Sequence, residues 1–288
     1  MIPVQLNSLH FWNYVRSKLE AEGVHAGFAL VEYSAYSLLL GSSPPYISNV
    51  VVISLVGLYP DVHFPGQLRQ LCAAIDHVLA SGVRPRDLHL VGDSAGANLI
   101  LQLFSHILHP LHPVQRRTIG PVLLPPLRLN APLSYDHRLG SAYLMSPLVT
   151  MESSTESFTN PHTKDIFVGP NVLYWSRQYA FDVPLDQMPY ITPLAAAQHP
   201  TWFAGLSRVV KGVLISAGEE ERFKDDIVAF AEGLTQHTEK GPVEVRFELQ
   251  EGGVHDDPFY DFMLGGDPKD VGSLTPLIVG WLKEKIGS

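Results

Sequence analysis

The chain has 288 residues, of which 45% are hydrophobic, enough for one large domain with a packed core. Its net charge of -9 disfavours nucleic acid as a partner, because phosphate backbones are bound by basic surfaces. The single cysteine, Cys72, excludes an internal disulfide and suits a reducing compartment. The first residues show no secretory signal, and the longest apolar stretch, Val50 to Leu58, is too short to span a bilayer. We therefore expect a cytoplasmic protein without a membrane span; its oligomeric state stays open.

The first third of the chain alternates between helical and extended patterns. Apolar side chains recur at helical spacing from Ser8 to Glu22, which predicts an amphipathic helix with Ser8 as its N-cap. Two apolar runs, Phe28 to Tyr33 and Val50 to Val56, predict buried strands. A further helix is predicted from Gly66 to Ser81.

The same alternation continues to the end of the sequence. Strands are predicted at 88–91, 142–147, 213–216 and 243–249, and helices at 98–108, 224–235 and 274–286. Such alternation predicts an α/β fold with a mostly parallel sheet and helices on both faces. Residues 151–200 carry helical patches among proline-rich loops, and we predict a small helical cap there. Residues 1–150 and 201–288 would then form the core.

One pentapeptide, Gly92-Asp93-Ser94-Ala95-Gly96, stands between a predicted strand and a predicted helix. Gly-x-Ser-x-Gly at such a junction is the nucleophile elbow of α/β-hydrolases. Its glycines allow a turn in which larger side chains would clash, and the turn pushes the serine hydroxyl out over the end of the sheet. Ser94 is therefore the candidate nucleophile, and the Ala95 N–H is the candidate oxyanion donor.

A serine nucleophile needs a base and an acid, which in this fold follow it in the order acid, then histidine. His255 follows the last predicted strand in a loop with two glycines and is the candidate base. Five carboxylates follow the strand at 213–216, and we expect most of them to form a solvated face at a helix start. Glu221 is the preferred acid, with Glu220 and Asp225 as alternatives.

Three histidines, His106, His109 and His112, recur every third residue, as a metal site would allow. Pro110 and Pro113 break any helix that would align all three, which favours a surface helix end. We therefore predict no metal at these histidines.

With elbow, acid and base in order, the chain resembles the hormone-sensitive-lipase-like group of α/β-hydrolases, especially its fungal members. Gly-Asp-Ser-Ala-Gly is that group's form of the elbow. Segments 58–65, 143–147 and 190–194 resemble other motifs of the group, and 217–231 resembles its acid segment, which favours Glu221. The resemblance implies hydrolysis of an ester or lactone of a small, fairly apolar metabolite, with no cofactor. Many fungal relatives act in secondary metabolism.

The resemblance has one gap, the His-Gly-Gly-Gly loop whose N–H groups supply most of the family's oxyanion hole. That loop would precede Ser8, where no glycine is found. We predict that the chain begins just past this loop and carries an insertion at 35–57. A degenerate loop at His25 to Phe28 is the alternative, but its helix would have to cross Gly41 to Pro45.

This gap leaves three functions open. An intact oxyanion hole would allow an ordinary esterase, but each lost donor costs about 3–4 kcal/mol in the transition state. The alternative is a catalytically impaired or silent relative, either a small-molecule-binding protein or the product of a truncated gene model. An amidase or formamidase is also compatible, because the triad chemistry is shared.

Overall fold

The computed structural model describes residues 4–24, 27–34, 37–40, 51–56, 64–111, 138–238, 243–262 and 271–287. Its strands are β1 (Gly27–Ser34), β2 (Ser37–Leu40), β3 (Val51–Val56), β4 (Leu88–Asp93), β5 (Ser141–Met145), β6 (Gly212–Gly218) and β7 (Glu244–Gln250). Its helices are α1 (Val4–Ala21), α2 (Gly66–Ala80), α3 (Ser94–Leu108), α4 (Glu156–Thr159), α5 (Gly169–Ala180), α6 (Met188–Ile191), α7 (Pro193–Ala197), α8 (Lys224–Thr238) and α9 (Leu274–Gly287). Single 3-10 turns lie at 85–87, 185–187, 206–208 and 257–262.

The strands form one twisted layer in the order β2-β1-β3-β4-β5-β6-β7. Every neighbouring pair is parallel except β1 with β2. The register pairs Val56 of β3 with Asp93 of β4, and Asp93 in turn with Met145 of β5. The carboxyl ends of three adjacent strands therefore meet at one edge of the sheet, where ligands bind in open α/β sheets.

The central strands are buried on both faces, as parallel strands between helical layers must be. Val91, Tyr143 and Leu214 face a core that contains α1, α9 and the 257–262 turn. Their neighbours on the same strands, such as Leu90 and Leu144, face the core built with α2, α3 and α8. This two-sided burial confirms the predicted fold class of a mostly parallel α/β sheet with helices on both faces.

Several predicted boundaries differ from the observed ones. Helix α1 begins at Val4, so Ser8 lies inside the helix and the N-cap prediction is wrong. Helix α3 begins directly at Ser94, with no linker after β4. The predicted strand at 50–56 is observed as β3, whereas β2 was not predicted.

Part of the segment read as an insertion, 35–57, therefore belongs to the sheet as β2 and β3. The interpretation of that segment as an insertion stays a prediction. Gly41 to Pro45, His25 and most of the 58–65 motif lie outside the described residues.

Residues 151–200 contribute the short helices α4 to α7. Asn98 of α3 joins helix α6 to the loop after β5, because its side-chain amide donates to the carbonyls of Leu148 (2.6 Å) and Ile191 (3.0 Å). The Leu194 N–H donates to the Val149 carbonyl at 2.9 Å. No helix in the described part of the chain is long and apolar enough to cross a membrane.

Candidate active site

The nucleophile elbow has the backbone that its sequence predicts. Ser94 is a non-glycine residue with a φ of 49°, at the point where β4 ends and α3 begins. Such a conformation costs about 1–3 kcal/mol and persists only when the surrounding structure enforces it. A Cβ at Gly92 would lie 2.7 Å from both the Ala97 nitrogen and the Gly96 carbonyl carbon, so this position requires glycine. Ser94 is half-buried rather than enclosed in the core.

The N–H of Ala95 belongs to the first turn of α3. The first N–H groups of a helix have no carbonyl to bond within that helix, and the helix dipole makes this end attractive to anions. Asp93, the residue before the helix, does not cap it with its side chain. The Ala95 N–H is therefore suited to stabilise a developing oxyanion.

Glu221 and His255 form a buried pair. The Glu221 Oε1 atom accepts a hydrogen bond from His255 Nδ1 at 2.6 Å, and both side chains are fully buried. The second oxygen, Oε2, accepts the Gly218 N–H at 3.0 Å and the Ser146 hydroxyl at 2.9 Å. Since a carboxylate can only accept, the proton lies on Nδ1, and Nε2 is the ring atom left for chemistry.

The pair depends on a close approach of two loops. A Cβ at Gly218 would lie 2.3 Å from the Gly253 carbonyl oxygen, so only glycine allows the end of β6 to meet the loop after β7. The Glu220 N–H donates to the same Gly253 oxygen at 2.8 Å. This contact therefore requires glycine at position 218, and the loop before His255 supplies the main-chain acceptor.

The alternative acids contact residues 151–200 instead. Glu220 pairs with Lys164 at 2.9 Å, and Asp225 accepts the Ser157 N–H at 2.8 Å. Asp226 accepts the hydroxyl of Ser153 at 2.5 Å. Three of the five carboxylates thus bind residues 151–200. Only Glu221 and Asp226 are buried, so the expected solvated face consists of Glu219, Glu220 and Asp225.

The turn after β5 joins the serine to the acid and base. The Leu148 N–H donates to the Ser94 carbonyl at 3.0 Å. Two residues earlier, Ser146 has a φ of 43° and donates its hydroxyl to Glu221, while the same oxygen accepts the Asp256 N–H at 3.1 Å. Ser146 was not among the predicted site residues, although it lies inside the 143–147 motif.

The neighbours of Ser94 and His255 also interact electrostatically. Burial raises the pKa of Asp93 to about 7, an effect that a backbone hydrogen bond and the nearby His255 partly oppose. Burial likewise raises the pKa of Asp256, and the charge of Asp93 raises it further. The elbow and the histidine loop both bond to the turn after β5, the elbow through the Leu148 N–H and the histidine loop through the Ser146 hydroxyl.

A second carboxylate lies on the outer side of the imidazole. Asp256 Oδ2 is 3.3 Å from His255 Nε2, and Nε2 itself makes no hydrogen bond. Burial alone would lower the pKa of His255, but Asp256 and then Glu221 raise it to a final value of about 9. Sequence reasoning missed Asp256, although its position next to the predicted base could have signalled it.

The histidines for which we predict no metal site have structural roles. Two of the three spaced histidines are used at the end of α3: His106 Nδ1 accepts the Leu111 N–H at 3.0 Å, and His109 Nε2 bonds the Trp202 carbonyl at 2.8 Å. His112 lies outside the described residues. Among the residues that the structure does describe, no three potential metal ligands cluster. Cys72 is buried, and burial, followed by Asp76, raises its thiol pKa to about 12.

A sheet of this topology, with a strained serine elbow beside a buried Glu–His pair, defines an α/β-hydrolase-type protein. A family model described as the alpha/beta hydrolase fold matches residues 46–257. The chain therefore belongs to this family. No curated protein matches its sequence.

Solved structures of several bacterial and metagenomic esterases are similar. An esterase of the bacterial hormone-sensitive lipase family is 24% identical with a TM-score of 0.54, over 79% of this chain and 63% of that one. A hormone-sensitive lipase from a metagenome library is 21% identical with a TM-score of 0.56, over 80% and 64% of the two chains. An esterase/lipase from an uncultured bacterium is 19% identical with a TM-score of 0.58, over 91% and 78%. The chain thus spans less than two thirds of the first two.

Proposed function

We propose that the protein is a serine hydrolase that cleaves a carboxylic ester or lactone with Ser94, His255 and Glu221. The main support is the 2.6 Å bond between the buried Glu221 and His255 side chains, at the sheet edge that carries the Ser94 elbow. A buried carboxylate bonded to Nδ1 selects the tautomer that a general base needs and stabilises the imidazolium that forms.

The reaction would run in two halves. His255 Nε2 takes the hydroxyl proton of Ser94 as Ser94 Oγ bonds to the ester carbonyl carbon, and the Ala95 N–H stabilises the resulting oxyanion. The imidazolium then returns this proton to the leaving alkoxide as the ester C–O bond breaks, leaving an acyl-serine. Water, deprotonated by the same nitrogen, attacks the acyl carbon. The bond from this carbon to Ser94 Oγ then breaks, the imidazolium returns the proton to Oγ, and the carboxylic acid departs.

The surroundings of the base suggest an apolar substrate. The Phe167 and Phe223 rings contact His255 edge-to-face, with ring centroids at 4.7 and 5.6 Å. Phe167 belongs to residues 151–200, so we assign this segment the role of a cap that selects a small, fairly apolar acyl or alcohol group. We accordingly propose a cytoplasmic esterase that acts on a small metabolite in secondary metabolism.

A binding protein without turnover is the second candidate. It is favoured by the raised pKa of His255, because an imidazole held protonated by Asp256 cannot accept the serine proton. An amide substrate is the other variant of the same chemistry. Parallel assays with an ester and its amide analogue would separate these cases.

The test is covalent labelling of Ser94. A fluorophosphonate probe is expected to label the wild type and to leave Ser94→Ala unlabelled, with mass spectrometry placing the probe on Ser94. Ser141 is a matched control because its hydroxyl bonds His89 Nδ1 at 2.7 Å, but both side chains are buried. Ser141→Ala should keep the label. Folded wild-type protein that takes up no probe and hydrolyses no p-nitrophenyl butyrate, an ester soaked into one of the similar structures, would refute the proposal.

A further inference from the structure

The cap region places one carboxylate against both catalytic loops. Asp165 lies between α4 and α5 and accepts three backbone N–H groups. Its Oδ1 accepts from His255 at 3.2 Å and from Ile166 at 2.8 Å, and its Oδ2 accepts from Arg222 at 2.8 Å. Because Arg222 directly follows Glu221, a single side chain bridges the backbones that carry the acid and the base.

Other contacts keep Asp165 in this place. The Thr163 hydroxyl accepts the Asp165 N–H at 3.2 Å and donates to the Glu220 carbonyl at 2.6 Å. The Arg222 guanidinium donates to the carbonyls of Phe167 at 2.8 Å and Phe158 at 2.6 Å. The segment around Asp165 is thus bound at both ends to the acid loop, so its carboxylate cannot leave the two N–H groups without breaking several bonds.

On the basis of the proposed function, we infer that Asp165 is a positioning residue that fixes the His255 and Glu221 backbones from the cap. It acts through the main chain, by accepting the N–H of His255 and the N–H of Arg222, the residue after Glu221. A displacement of about 1 Å in a catalytic group can cost 10²-fold in rate, which is the size of effect that such a bridge prevents.

The charge of Asp165 adds a second, separable effect. Three carboxylates act on the imidazole: Glu221 bonds Nδ1, Asp256 lies next to Nε2, and Asp165 accepts the main-chain N–H of His255. Each of them raises the pKa of His255. Asp93 lies close enough to act on the same group of charges. Removing the Asp165 charge should therefore lower the pKa of the base as well as loosen its position.

The experiment compares Asp165→Asn with Asp165→Glu and with Asp186→Asn, which removes an exposed acid elsewhere in the cap region. The assay follows kcat and KM for p-nitrophenyl butyrate against pH, with thermal melting as the folding control. For Asp165→Asn we expect the high-pH plateau of kcat to fall by about 10–100-fold, with KM little changed. The rising limb of its pH profile should move to lower pH. Asp165→Glu should keep the rising limb at the wild-type pH but should have a lower kcat plateau. Asp186→Asn should match the wild type in the position of the limb and in the plateau.

The outcomes separate the two proposals. If folded Asp165→Asn has the same kcat plateau and the same rising limb as the wild type, the positioning role of Asp165 is overturned, while the proposed hydrolase activity is unaffected. If that variant does not fold, an unchanged plateau in Asp165→Glu overturns the role instead. Wild-type protein that is neither labelled at Ser94 nor active would overturn the hydrolase itself.

Discussion

Asp256→Asn should make the protein a better catalyst near neutral pH. In the wild type the His255 pKa of about 9 leaves only about 3% of the imidazole neutral at pH 7.5, and only the neutral form can accept the serine proton. Asp256 is the strongest of the charges that raise this pKa, and its Oδ2 lies 3.3 Å from Nε2. Asparagine has the same shape but carries no charge, so the base should deprotonate at lower pH.

The assay is kcat/KM for p-nitrophenyl butyrate between pH 6 and 10, corrected for spontaneous hydrolysis. The wild type should show a rising limb with an apparent pKa near 9. The limb of Asp256→Asn should lie lower, with a several-fold gain in kcat/KM at pH 7.5 and no gain at pH 10. Asp186→Asn serves again as the charge-removal control. A limb that stays in place, or one that moves upwards, would refute the argument that Asp256 holds the proton on His255.

Two further predictions test the acid and the elbow. Glu221→Gln should lower kcat by about 10⁴-fold, because an amide cannot stabilise the imidazolium. The control, Glu220→Gln, should lose only a surface ion pair to Lys164 and retain activity. Equal losses of activity in both variants would reject Glu221 as the acid. Gly92→Ala should destabilise the fold by about 1–3 kcal/mol and abolish labelling of Ser94, because its Cβ would lie 2.7 Å from main-chain atoms of α3. Denaturant unfolding and probe labelling measure both effects, and a stable, fully labelled Gly92→Ala would contradict the tight turn.

The sequence predicts those parts of the site whose structure is determined by residues close together in the chain. The elbow needs only five consecutive residues, and the φ of 49° at Ser94 follows from the strand and helix on either side. His255 is likewise fixed by its position after the last strand. The strands were predicted because buried parallel strands read as continuous apolar runs, and β4 and β5 have every residue buried. The start of α1 was missed because its first turn has no strong signal.

The parts that sequence does not predict depend on contacts between distant segments. Glu220, Glu221 and Asp225 are chemically equivalent in the sequence, and only the position of Gly218 and Ser146 decides which of them turns inward. Asp165 has no motif at all, and its partner His255 lies 90 residues further along the chain. No local pattern carries such information.

The acid loop shows how one short segment joins cap and catalytic chemistry. Successive residues have opposite tasks, since Glu220 binds the cap through Lys164, Glu221 binds the base, and Arg222 binds the cap again through three carbonyls. A movement of the cap that broke these bonds would pull on both sides of Glu221, whose second oxygen is held by Gly218 and Ser146 of the core. The acid is therefore held between the core on one side and residues 158–167 on the other.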